Sequence, residues 1–325
     1  MLLIISGIIN NKLYKSGRAS LMYTIDKDTN ITPKTNNNTY ITKANVMSIW
    51  PNNLGNTEYK IFLFILACIK KDDEELPAIL IDYKVLLKIL DLDKSLHSRS
   101  RVEQYLTSLA SKVFYVKDRM HYQVMSIFQR IAVKYNDDSS VLFEINPYFA
   151  PYLINLRNNF SRYRLNEIIP FSSVYSIKLY DILAANAYRT VLVISVEELR
   201  IRLNLKNTVE KKEIDKFKKF GEFNRNVLNP CIQEINEKSS LQVEIEKIAD
   251  PNDKRKVASI RFIIYVTKDI NPLSRIPEYY MDDRIIEDAS DIFKRSGTKK
   301  KCRVITLQRP LSMPIIPSSD TKQEL

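Results

Sequence analysis

The sequence of 325 residues contains two histidines and five glycines, which leaves little for chemistry built on imidazole or on phosphate-cradling loops. A nickase that holds a metal beside a nucleophilic tyrosine needs two histidines flanking one apolar residue, and His97 and His121 are far apart. A tyrosine recombinase needs His-x-x-Arg, whereas His97 is followed by Ser98, Arg99 and Ser100. The loop GxxxxGK[ST] requires two glycines separated by four residues, and Gly7, Gly17, Gly55, Gly221 and Gly297 stand alone. The acidic cluster Asp72, Asp73, Glu74 and Glu75 could hold Mg²⁺ for phosphodiester cleavage. It lies between an apolar helix and a strand opened by Pro77, and reads as a solvated loop. Cys68, Cys231 and Cys302 are too widely spaced for a CxxC pair or a disulfide framework, which fits a reducing cytoplasm. The expectation is a protein without catalytic residues, metal site or cofactor.

Cations and amides at helical spacing carry the remaining chemistry, in a chain with a formal net charge of +12. Such a surface favours a polyanionic partner through counterion release. On a helix over residues 217–235, Lys218, Arg225 and Asn229 fall opposite Phe220 and Cys231, with Asn226 and Gln233 on the flank. Arginine can donate two bonds to guanine O6 and N7, and asparagine or glutamine can pair with adenine, each pair supplying roughly 1 to 3 kcal/mol of discrimination. Lys218 and Lys219 suit phosphate, while Glu222 on the same face either accepts from cytosine N4 or pairs with Arg225. A second, smaller reading face consists of Arg101, Gln104 and Ser108, with Arg99 just before it. A third cationic feature follows the turn Asp250-Pro-Asn-Asp253, where Lys254, Arg255 and Lys256 are consecutive and suit phosphate contact. Lys117 and Arg119 around Asp118 form a weaker version of that tip.

The elements that must position these groups occur twice. Residues 79–92 (ILIDYKVLLKILDL) and 192–205 (LVISVEELRIRLNL) align without gaps. In each, three β-favouring residues meet an N-cap, Asp82 or Ser195, and leucines then recur at helical spacing. Ser195 with Glu198 has the spacing of a capping box, as do Ser100 and Glu103, which place the start of another helix. An apolar helix precedes each copy, over 58–69 and 174–188. A third helix follows, with Val102, Tyr105, Leu106, Leu109 and Val113 on its inner face in the first copy. Alternating strands come next, over 113–116 and 124–135 in the first copy and 241–248 and 257–266 in the second. Helix, strand, helix, helix and hairpin is the order of a winged helix, whose third helix enters a major groove about 12 Å wide while the hairpin reaches the backbone. The fold class is therefore α+β, with two tandem winged-helix domains related by internal duplication.

The stretches 151–156 (PYLINL), 160–163 (FSRY), 175–183 (YSIKLYDIL) and 227–236 (VLNPCIQEIN) resemble the initiator Rep proteins of iteron-controlled, theta-replicating plasmids. That resemblance runs from about residue 40 to residue 266. It implies double-stranded DNA as partner, at directly repeated origin sequences (iterons) and at the protein's own operator. It also implies opening of adjacent AT-rich duplex, recruitment of the host initiator and replicative helicase, and a monomer in equilibrium with an autorepressing homodimer. The division expected is an arm over 1–39, partly disordered, a first domain over 40–165 for dimerisation and DNA contact, a second over 166–270 for principal iteron readout, and an extended basic tail over 271–325. In that tail the run 299–303 (KKKCR) either adds nonspecific DNA affinity or is simply solvated. Two readings stay beside initiation: a winged-helix repressor without a replication role, and a metal-dependent nuclease using the acidic loop. The apolar opening 1–9 and the run 61–69 are both far below the roughly 20 residues a membrane span needs, so a cytoplasmic protein without membrane contact is expected.

Overall fold

The computed structural model describes residues 23–24, 32–34, 40–89, 96–117, 122–134, 140–207, 214–267, 279–286 and 300–306. Two short strands come first, β1 (Tyr23–Thr24) and β2 (Thr32–Lys34). The first unit contains β3 (Tyr40–Ala44), α1 (Asn56–Ala67), β4 (Ala78–Asp82), α2 (Tyr83–Ile89), α3 (Leu96–Ala110), β5 (Val113–Lys117), β6 (Tyr122–Ser126), β7 (Phe128–Lys134), β8 (Ser140–Ile145), α4 (Ala150–Leu153) and β9 (Phe160–Arg164). The second contains α5 (Val174–Ala184), β10 (Val191–Ser195), α6 (Val196–Arg202), β11 (Lys206–Asn207), β12 (Ile214–Asp215), α7 (Phe220–Phe223), α8 (Asn229–Lys238), β13 (Leu241–Ala249) and β14 (Val257–Val266). β15 (Tyr279–Ile286) and β16 (Lys300–Thr306) follow.

The duplication is visible in the bounds themselves, since β10 and α6 begin and end at the positions aligned with β4 and α2. α1 is apolar on every side because it is enclosed on every side: Ile61 through Ala67 are all buried. α5 occupies the same place in the second copy and packs against α1, and one continuous hydrophobic core passes through both units. Ser195 caps α6 by accepting from the Glu198 N–H at 3.1 Å. The expected reciprocal half of that box is absent, because the Glu198 carboxylate pairs with Arg202 one turn on.

In the second unit the sheet order is β10-β14-β13, all antiparallel, as a winged helix requires. The first unit departs from the sequence reading in three respects. Its third helix starts at Leu96, so Ser100 sits inside α3 rather than at its cap; nothing in Leu96, His97, Ser98 and Arg99 interrupts a helix. The expected strand over 124–135 is broken at the buried Ile127, whose N–H turns to the Lys112 carbonyl at 3.1 Å. Among the described residues β6 pairs with β5 alone, while β7 pairs with β8, and β8 lies beside β4. The hairpin joined to the domain sheet is thus β7–β8, and β5–β6 is a separate ribbon.

The third departure concerns the basic tail. β16 pairs parallel to β4, β15 pairs with β16, and β1 and β2 both pair with β15, so segments from both ends of the chain extend the first unit's sheet. The expected solvated run instead supplies Cys302 and a fully buried Arg303, whose guanidinium makes two 2.9 Å bonds to Asp73 and also donates to the Cys68 carbonyl. Asp72, Glu74 and Glu75 are exposed as a solvated loop would have them, but Asp73 is buried by this clasp. Among the described residues no helix is long and apolar enough to cross a membrane.

Candidate nucleic-acid interface

Residues 220–238 form one helical run with a π turn over Asn224–Leu228 at its centre. Pro230 explains the turn: it has no N–H to give the carbonyl four residues back, and its ring crowds that carbonyl. The helix relaxes by one residue, so that the Asn229 N–H reaches the Asn224 carbonyl. Phe223, Val227, Leu228, Cys231 and Ile235 are buried beneath the run. Burial pushes the Cys231 thiol up to about 12, which keeps it protonated and a packing group.

On the opposite side Arg225, Asn226, Asn229 and Gln233 are exposed, as their spacing predicts. Lys218 and Lys219 are exposed too, but the helix starts at Phe220 rather than near 217, so they lie on the extended lead-in, after Phe217 at a φ of 53°. Their readiness differs. Asn226 donates to the Glu222 carbonyl at 2.9 Å and Gln233 to the Glu237 carboxylate at 2.8 Å, so each must exchange a bond to reach a base. Among the described residues Arg225 and Asn229 have no side-chain partner, and Glu222 makes no ion pair with Arg225. The approach to this helix was not foreseen. β11 and β12 form a short hairpin between α6 and α7, fixed by the buried Arg200, which donates to Asp215 and to the Lys216 carbonyl. Hydrogen bonding from Arg200 holds the Asp215 carboxyl below the usual range.

The wing between β13 and β14 closes through Asp250, whose N–H donates to the Lys256 carbonyl at 2.8 Å and whose carboxylate accepts from the Asn252 N–H at 2.8 Å. Lys254, Arg255 and Lys256 are exposed at its tip, with Lys256 3.5 Å from Asp253. Three adjacent cations at the end of a two-stranded arm suit a phosphate backbone.

The first unit's face is weaker. Arg101 and Gln104 are exposed on α3, and a shallow depression beside them is lined by Ser100, Thr107 and Ser111. Ser108 borders the same depression, half-buried, and its hydroxyl is engaged by the Glu58 carboxylate of α1, to which it donates. The Arg99 and Lys117 side chains, and Arg119 altogether, lie outside the described residues.

The same carboxylate anchors α3 more broadly. Glu58 accepts from the Gly55 N–H at 2.7 Å, which caps α1, and pairs with Lys112 at 3.2 Å, so with Ser108 the first turn of α1 holds the C-terminal end of α3. Two residues earlier, Asn56 donates to the Ser172 carbonyl at 2.6 Å, and Ser172 in turn gives its N–H and hydroxyl to Glu234 of α8 at 2.6 and 2.9 Å. Deeper in, Asp181 of α5 accepts from Lys43 at 2.9 Å, Ser48 at 3.1 Å, Tyr59 at 3.2 Å and Tyr163 at 2.8 Å, all buried. Burial, with the Asp181 charge beside them, pushes the Tyr59 and Tyr163 phenols well up. One turn along α5, the buried Lys178 donates to the Asn52 carbonyl at 2.9 Å, and desolvation lowers its ammonium to about 7. Sequence patterning missed these polar contacts, because Lys178 and Asp181 look like the outer side of an amphipathic helix.

Among the described residues no group of three or more His, Cys, Asp or Glu is arranged to hold a metal ion. Residues 40–184 match the family model described as Initiator Replication protein, WH1, and residues 195–264 the one described as Initiator Rep protein, WH2. Together they cover more than half of the chain. Among solved structures, that of the Pi initiator protein in complex with iteron DNA superimposes with a TM-score of 0.60 at 20% sequence identity, covering 72% of this chain and 100% of that one.

Proposed function

Because this chain belongs to the initiator Rep protein family, we propose that it starts plasmid replication by binding directly repeated duplex sequences at an origin. The observation that supports this reading is an exposed Arg225–Asn229 helix face together with an exposed Lys254–Arg255–Lys256 hairpin tip, which suit base readout and phosphate contact respectively. In this reading the second domain supplies the principal readout and the first supplies Arg101 and Gln104 as supporting contacts. The protein makes no covalent change to DNA. It opens the AT-rich duplex beside its sites through the bend or twist that binding imposes, and brings in the host initiator and the replicative helicase in the cytoplasm. A dimer of the same chain occupies the operator of its own gene. The deciding experiment places the gene and its flanking DNA on a molecule that its host cannot otherwise replicate. Stable maintenance is the expected outcome, and loss of the molecule despite specific binding of the flank would leave a repressor as the better reading. Incubation of purified protein with Mg²⁺ or Mn²⁺ and supercoiled origin DNA is expected to leave the supercoils intact.

A further inference from the structure

Each unit presents one helix to DNA, and a protein that engages two grooves at once is selective for the distance between them. Each base pair added between two contacted segments moves them apart by roughly 3.4 Å and rotates one against the other by about 35°. Such selectivity requires that the two helices keep a fixed separation, whereas domains in one chain by default move relative to one another.

We propose that Asn56, Glu58, Ser172 and Asp181 are positioning residues that fix the separation of the two reading helices, and so set the site spacing the protein accepts. This rests on the DNA-binding function proposed above. The first turn of α1 is common to both helices: Glu58 holds α3 through Ser108, and Asn56 holds α8 through Ser172 and Glu234. The turn cannot rotate against α5, which packs on α8, without breaking the Asp181 cluster. There, one carboxylate of α5 satisfies donors from Lys43, Ser48, Tyr59 and Tyr163, and opening would leave a buried ammonium and two phenols without this acceptor. Contact through shared neighbours does not by itself prove coupling, so the effect must be read on DNA spacing itself.

The experiment selects bound sequences from a pool of random 40-base-pair duplexes, then inserts one to four base pairs between the two protected segments. The full-length protein is expected to lose about tenfold in affinity at the first insertion, the order of one mismatched base pair. Asn56→Ala and Ser172→Ala, at partly exposed positions, are expected to narrow that loss to about twofold while selecting the same bases. Asp181→Asn is expected to do the same where it folds, and Tyr163→Phe, which keeps the ion pair, to give an intermediate loss. Folded variants that keep the full penalty for an added base pair, or that weaken equally at every spacing, would overturn the proposal and leave these contacts as ordinary core. Recovery of no preferred sequence by the unaltered protein would instead remove the proposed function, and this inference with it.

Discussion

Arg225 and the three cations at the wing tip carry the same charge, but geometry assigns them different work. Arg225 is exposed on a helix near Asn229, and neither side chain has a partner among the described residues, so a planar fork can address a guanine edge. Arg225→Ala is therefore expected to abolish the preference for specific over random duplex in a competition assay while sparing most nonspecific affinity. Replacing Lys254, Arg255 and Lys256 together by alanine should weaken binding to every duplex and reduce the slope of log affinity against log salt by about 2 to 3. Equal effects from both variants would contradict the division. A second test at this scale uses Lys178, whose ammonium burial lowers to about 7 from an ordinary 10.5. Between those values the unfolded chain binds the proton and the folded chain does not, so stability rises with pH across that window and is flat below it. The wild type should gain up to about 1 kcal/mol per pH unit relative to Lys178→Met between pH 7 and 9 in urea titrations. Parallel curves for the two proteins would mean that Lys178 keeps its proton when folded.

At the scale of elements, β16 decides how the first unit is completed. It lies parallel to β4 and is clasped by Arg303 on Asp73, both buried. Removing one member of a buried, hydrogen-bonded ion pair costs about 3 to 5 kcal/mol, and replacing both by apolar groups recovers much of that. Arg303→Met should lower the urea midpoint markedly, and Arg303→Met with Asp73→Leu should restore most of it. An unchanged midpoint in the single variant would mean that the strand contributes nothing to the sheet. This clasp also shows where sequence reading stops. The strand-helix repeat of β4–α2 and β10–α6 was legible because its signals, three β-favouring residues, a cap and spaced leucines, lie within fourteen positions. The exposed face of Arg225 and Asn229 was legible for the same reason, since a helical wheel needs only its own residues; Lys218 was not, because the helix starts two residues after it. By contrast Arg303 finds its partner 230 residues earlier, and the run that contains it has the composition of a solvated tail. Ser108 lies on the expected side, but nothing local reveals that Glu58, 50 residues away, claims its hydroxyl. The π turn was half legible: Pro230 announces a disturbance but does not say that the helix survives it.

At the scale of the molecule, the two copies share one hydrophobic core. The core that contains Ile61, Phe64 and Leu66 of α1 continues without interruption through Ile177 and Leu183 of α5 to Phe223, Ile235 and Phe262 of the second winged helix. Polar ties follow the same course: Tyr180 donates to Glu167 at 2.8 Å, and Glu167 also accepts from the Ser240 N–H at 3.0 Å and its hydroxyl at the base of the wing. Tandem domains joined by a small wet interface unfold one after the other, whereas a shared core makes partial unfolding expose apolar surface on both remaining faces. Calorimetry of the full chain is accordingly expected to show a single heat-absorption peak, with calorimetric and van't Hoff enthalpies agreeing to within experimental error. Asp181→Asn should move that whole peak to lower temperature rather than split it, because the carboxylate ties β3, α1 and β9 to α5, and α5 packs on α8 of the second winged helix. Two resolved peaks in the wild type would show that the units fold separately. The separation of the reading helices would then have to be set by the DNA, and not by the protein.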